Sequence, residues 1–104
     1  MEFWFENKEL EKLYTVGKSR KYKLTEDIVE KFFARIQQIE AAADIYDLWN
    51  DKGLNFEKLQ GYESRFSMRL KLKYRLEVHI VWMNKERTIG KFGIAELSSH
   101  YSGN

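Results

Sequence analysis

The stretch Arg65-Phe66-Ser67-Met68-Arg69-Leu70-Lys71-Leu72 decides the fold of this 104-residue chain. Its apolar residues Phe66, Met68, Leu70 and Leu72 alternate with Arg65, Ser67, Arg69 and Lys71. Side chains on a strand point to opposite faces in turn, so one face is apolar and the other carries Arg65, Arg69 and Lys71. The apolar face has to pack on a core. The cationic face is left to water, where it suits a polyphosphate, with RNA the best fit.

Outward from this strand the same pattern continues. Tyr74 to Met83 reads as a second strand, with Leu76, Val78, Ile80 and Trp82 on one face and Arg75, Glu77 and His79 on the other. Asn84-Lys85-Glu86-Arg87 is a hairpin connection, and Thr88 to Leu97 is a third strand. Its Gly90 and Gly93 point to bulges or close backbone approach. Gly61 turns the chain into the first of these strands, and Leu54 to Leu59 leads into the sheet. Consecutive strands with short links predict an antiparallel meander.

Towards the start of the chain the period changes. Ile28, Val29, Phe32, Phe33, Ile36, Ile39 and Ala43 form the stripe of an amphipathic helix, capped by Thr25 with Glu26 and Asp27 in the first turn. A shorter helix runs from Lys8 to about Val16, capped by Asn7, with Leu10, Leu13 and Tyr14 on one face and Gly17 ending it. Lys18 to Lys23 is a basic loop. Asp44 to Trp49 adds a turn of helix, which Asn50-Asp51-Lys52-Gly53 breaks. Phe3-Trp4-Phe5 is a short first strand whose partner the pattern does not name. The expected fold is therefore α+β, with two N-terminal helices packed on one face of a twisted, mainly antiparallel sheet. Residues 1–104 form a single domain.

Composition narrows the function classes. The chain is 43% hydrophobic and 15% aromatic, which excludes a disordered segment. Its net charge is only +2, with a sequence pI near 8.8. The distribution is more telling than the sum. From Lys58 to Arg75 the cations are Lys58, Arg65, Arg69, Lys71, Lys73 and Arg75, against Glu63 alone, a local net of +5 (six minus one). The absence of cysteine removes disulfides and thiolate metal sites, and His79 and His100 alone do not make a zinc site. No metal or other cofactor is expected. No apolar run approaches the roughly twenty residues of a membrane span. Met1 to Glu9 has acids where a signal peptide has a basic start. A cytoplasmic protein without a membrane partner is expected.

Four short motifs in order carry a resemblance. Gly53-Leu54-Asn55-Phe56-Glu57-Lys58-Leu59-Gln60-Gly61 resembles the glycine, hydrophobic, lysine-leucine-x-glycine segment that leads into the sheet of HigB-like toxins. Gly61-Tyr62-Glu63-Ser64-Arg65 is similar to the turn and arginine strand of YoeB-like toxins. Tyr74-Arg75-Leu76 resembles an aromatic-arginine-aliphatic strand, and His100-Tyr101 resembles a terminal histidine-tyrosine pair. Together they resemble the RelE/ParE superfamily of bacterial toxins over nearly the whole chain. The resemblance implies the RelE-like microbial RNase fold. It also implies a toxin–antitoxin protein that cleaves mRNA on the ribosome as a metal-independent endoribonuclease (mRNA interferase), neutralised by a cognate antitoxin. Three residues follow Tyr101, and the strand from Arg65 to Arg75 is longer than in the YoeB-like pattern. Which of Arg65 and Arg69 lies nearer the scissile phosphate stays open.

Metal-free RNA cleavage needs a base for the 2′-hydroxyl, cations for the phosphorane charge and an acid for the leaving oxygen. Arg75 is expected to hold the charge, assisted by Arg65 or Arg69, because a guanidinium grips two phosphoryl oxygens and stays charged. Lys71 and Lys73 extend the RNA-binding face. The resemblance places His100 as general acid and Tyr101 as a stacking or phosphate-orienting residue. Neighbouring cations favour Lys58 as base or clamp, whereas the resemblance favours Glu57 as the base. His79 reads as structural, with an RNA contact as the alternative, and Trp49 and Trp82 as core. Two other functions fit the same fold: a ParE-like toxin that inhibits DNA gyrase by binding, and an RNA-binding protein that does not cut.

Overall fold

The computed structural model describes residues 1–71 and 73–99. The chain starts at one edge of a sheet with β1 (Phe3–Phe5) and runs through α1 (Lys8–Val16), α2 (Glu26–Ala41) and the single turn α3 (Tyr46–Trp49). A turn of 3₁₀ helix at Lys52–Leu54 then delivers it to the opposite edge as β2 (Glu57–Lys58). From there β3 (Arg65–Lys71), β4 (Tyr74–Trp82) and β5 (Gly90–Ser98) return as an antiparallel meander. The spatial order is β1-β5-β4-β3-β2. The last strand finishes beside the first and parallel to it, with Phe3 opposite Phe92 and Phe5 opposite Ile94. The fold is α+β with a five-stranded mixed sheet, and the partner of β1 is the strand most distant from it in sequence.

The apolar stripes close on each other. Leu10 and Leu13 of α1 and Ile28, Phe32, Ile36 and Ile39 of α2 meet Phe66, Met68, Leu70, Leu76, Val78, Ile80, Phe92 and Ile94 of the sheet. Phe32, wholly buried, illustrates the scale: taking such a ring out of water contributes about 2–3 kcal/mol. Among the described residues the helices lie on this one face, and none packs on the other. Among the described residues no helix is long and apolar enough to cross a membrane.

Local chemistry sets the element ends. Asn7 Oδ1 accepts from the amides of Glu9 (2.9 Å) and Leu10 (3.2 Å), the cap expected for α1. Gly17 ends α1 in the left-handed region at φ 90°, its amide bonded to Leu13 O, a conformation that disfavours residues with a Cβ. Thr25 stands at the N-cap of α2, but its hydroxyl donates to the Asp27 carboxylate and not to a backbone amide of the first turn.

Several expectations are corrected. The helix stops at Ala41, so Ala43 lies beyond it and is exposed, and Ala42 is the buried residue. Phe33 is on the rim of the stripe, 40% exposed and stacked on Tyr14 at 4.6 Å. Trp49 is not core: α3 buries Leu48 and leaves Trp49 43% exposed, lying edge-on over Phe56 at 4.6 Å. Trp82 is half-buried against Phe66. The bulge of β5 sits at Ala95, between Ile94 (opposite Val78) and Glu96 (opposite Glu77), while Gly90 and Gly93 mark close approaches, where a Cβ would stand 2.5 Å from Ile80 Cγ2 and 2.6 Å from Trp4 Cζ2. Ile94 and Leu97 are three residues apart and would face opposite ways on a regular strand; the extra residue lets both reach the core.

Candidate functional site

Alternation places Arg65, Ser67 and Arg69 of β3 and Arg75, Glu77 and His79 of β4 on the open face, and pairing aligns them in transverse rows. Arg69 is directly opposite Arg75, which is opposite Ser98. The next row is Glu57, Ser67, Glu77 and Glu96, running from β2 to β5. The third is Arg65, His79, Gly93 and Trp4. A row of acids thus separates the Arg69–Arg75 row from the Arg65–His79 row.

The arginines differ in surroundings. Arg75 is 5% exposed; its Nε donates to Ser67 Oγ at 3.0 Å and its Nη2 to the carbonyl of Asn55 at 2.5 Å. The same Nη2 is 3.6 Å from Glu57 Oε1. Asn55 presents that carbonyl from a left-handed backbone at φ 44°, an uncommon but tolerated state for asparagine. Arg75 is therefore a fixed cation forming the floor of the face. Arg69 is exposed, and among the described residues its guanidinium enters no ion pair. Its backbone is held from behind, where Arg35 Nε of α2 donates to Arg69 O at 2.7 Å. Burial lowers the Arg35 guanidinium from its usual value, opposed by the charge of Asp51.

Arg65 belongs to a different neighbourhood. Its Nε is 3.3 Å from Glu77 Oε1 and its Nη2 is 3.7 Å from Glu96 Oε2, so two carboxylates already share its charge. Of the two candidates left open by the sequence, Arg69 is the one beside Arg75. Glu57 and Lys58 also separate, because consecutive strand residues point to opposite sides. Glu57 lies on the Arg75 side, while Lys58 pairs with the core-facing position Phe66 at the sheet edge.

Lys71 does not join the cluster. The register slips between Arg69 and Lys71, and Lys71 Nζ binds Asp27 Oδ2 in the helix layer at 2.6 Å. Hydrogen bonds from Lys71 and then from the Thr25 hydroxyl hold the Asp27 carboxyl at about 2, below its ordinary 3.8. Lys73 is exposed, its ammonium 5.8 Å from the centre of the Tyr74 ring. His79 Nδ1 is 3.1 Å from Glu6 Oε2, and its ring meets Trp4 edge-on at 6.3 Å. His100 and Tyr101, and Leu72, the expected end of the first of the three strands, lie outside the described residues.

The run of cations thus becomes a face of mixed sign. Glu77 was legible from the period of β4, but Glu96 and Glu57 arrive from other strands. Glu96 is further hidden by the bulge, which shifts β5 out of simple alternation. Chemically, the Arg69–Arg75 row offers one exposed and one fixed guanidinium, with a half-exposed carboxylate 3.6 Å from the fixed one. That combination can neutralise a phosphate and accept a proton within a few ångströms. Compared with known proteins, the chain matches no family model and no curated protein.

Proposed function

We propose that this protein is the toxin of a type II toxin–antitoxin pair, a ribosome-dependent endoribonuclease of RelE-like fold that cleaves mRNA without metal and is neutralised by a cognate antitoxin in the cytoplasm. The observation that carries this reading is the Arg69–Arg75 pair on the open sheet face with Glu57 at 3.6 Å from Arg75. Glu57 takes the proton of a 2′-hydroxyl, and that oxygen bonds to the neighbouring phosphorus. The bond to the 5′-oxygen breaks, leaving a 2′,3′-cyclic phosphate and a 5′-hydroxyl. Arg69 closes over the phosphoryl oxygens while Arg75 supplies fixed, preorganised positive charge below. His100 supplies the proton to the leaving oxygen, and Tyr101 stacks or orients. An acidic or amphipathic segment of the antitoxin masks the same face.

Induced expression followed by mapping of mRNA ends tests this. Growth arrest with new ends in translated messages, abolished by Arg69→Ala and by His100→Ala with Tyr101→Ala, supports it. Arrest that survives the His100/Tyr101 change with mRNA intact overturns it in favour of a gyrase-binding toxin. One observation favours a second reading, binding of RNA without cutting. Arg75 is nearly buried, with Ser67, Asn55 and Glu57 around its guanidinium, as a purely structural arginine would be.

A further inference from the structure

The third row of the open face is not used by this chemistry, and it has a construction of its own. Trp4, Gly93, His79 and Arg65 come from four adjacent strands and line up across the sheet. Gly93 makes the row possible. A Cβ there would stand 2.6 Å from Trp4 Cζ2 and 2.6 Å from Glu6 Oε2, so only a bare backbone lets the indole cross β5 towards His79. At the other end Arg65 lies 5.5 Å from the centre of the Tyr62 ring, and Tyr62 is 58% exposed. Between them Tyr62, Glu63, Ser64, Arg65 and His79 line a cleft of about 280 Å³. That is near the lower end for small-ligand sites, roughly 300 Å³, and suits a flat group more than a long one.

The charges tell what kind of group. Arg65 is engaged by Glu77 and Glu96, and His79 by Glu6, so a phosphate arriving here meets carboxylates. An uncharged π-system in the cleft meets the phenol of Tyr62, the imidazole of His79 and the Arg65 guanidinium plane, with the Trp4 indole edge-on behind His79. We propose that this row and cleft form a stacking site for one unpaired nucleobase of single-stranded RNA, one acid row away from the arginines that face the phosphate. The inference rests on the RNA-cleaving reading for the identity of the strand, but the site itself makes no use of the cleavage residues.

The test compares a labelled hexaribonucleotide with an abasic oligomer of the same sugar–phosphate length, by fluorescence anisotropy on the full chain. The intact oligomer is expected to bind about tenfold more tightly, the order of one stacked base. Tyr62→Ala, in an exposed loop, and Gly93→Ala, which displaces the indole, both bring that ratio towards one. Arg69→Ala weakens both oligomers by a similar factor and keeps the ratio. Equal binding of the two oligomers by the wild type, no binding of either, or a ratio untouched by both Tyr62→Ala and Gly93→Ala overturns the site. Failure of the nuclease reading looks different: the base preference and its loss in the variants persist while translated mRNA stays uncut.

Discussion

Replacing Arg75 and Arg69 by methionine, one at a time, separates two jobs that the open face gives to its arginines. Arg75 is buried, and its removal takes away hydrogen bonds to Ser67 Oγ and Asn55 O and the 3.6 Å contact with Glu57. Ser67 is itself fully buried, so water does not readily replace the lost partner. Hydrogen bonds with a charged partner contribute about 1.5–3 kcal/mol each and do not add fully, which puts the loss near 3 kcal/mol. In a domain of this size that lowers the melting temperature by roughly 12–24 °C. Arg69 is exposed, and its substitution should stay within about 0.5 kcal/mol. A slight gain is expected, because two guanidinium groups directly opposite on neighbouring strands repel. Thermal unfolding followed by far-ultraviolet circular dichroism reads both. In mRNA cleavage at a temperature where both variants remain folded, each should fall by about 10²-fold or more, as for other groups that stabilise transition-state charge. If Arg69→Met melts as low as Arg75→Met, or Arg75→Met melts like the wild type, the division into a fixed and an exposed guanidinium is wrong.

Other outcomes follow from the same geometry. Asn7→Ala should cost about 1 kcal/mol, because Asn7 Oδ1 caps two amides, whereas Thr25→Ala should cost less than half of that in chemical denaturation. Phe32→Ala should cost about 3–5 kcal/mol, since a fully buried ring leaves a cavity between α2 and the sheet. The Asp27 carboxyl has a folded value of about 2 against an ordinary 3.8. A depressed carboxyl contributes stability above its unfolded value and loses it as pH falls through the folded one, so acid titration should show a small, salt-sensitive decline between those two values that is absent in Asp27→Asn. RNA affinity should fall linearly with salt on logarithmic axes, and Arg69→Ala should reduce the slope by about one.

How much of this was readable beforehand depends on the range of the interaction. The Asn7 cap, the α2 stripe from Ile28 to Ile39 and the alternation of β3 as far as Leu70 and of β4 are local, and they appear in the structure, with Phe33 at the rim of the stripe and Ala43 beyond its end. The union of β1 with β5 is not local. Phe3-Trp4-Phe5 announces a strand, but nothing in three residues says which edge it joins or that it runs parallel. Trp49 misled because an aromatic residue near a helical stripe reads as core, while a single turn of helix has room to bury only Leu48. The mixed sign of the candidate site was hidden for a related reason. Counting charge along the chain from Lys58 to Arg75 registers cations and stops short of Glu77 on β4, and it misses Glu57 and Glu96, which the sheet brings alongside from β2 and β5. Lys71 counted as part of the open face until the register slip after Arg69 carried it to Asp27. The apolar spacing from Ile94 to Leu97 was the available sign of the bulge that brings Glu96 in.

The most direct measurement adds purified protein to ribosomes translating a defined message, with the same message untranslated alongside, and maps the new ends. Cuts confined to the translated message, bearing 2′,3′-cyclic phosphate and lost in Arg69→Ala, are what the arginine pair and Glu57 require. An intact message, or cutting that Arg69→Ala leaves unchanged, contradicts the assignment of this sheet face as a nuclease.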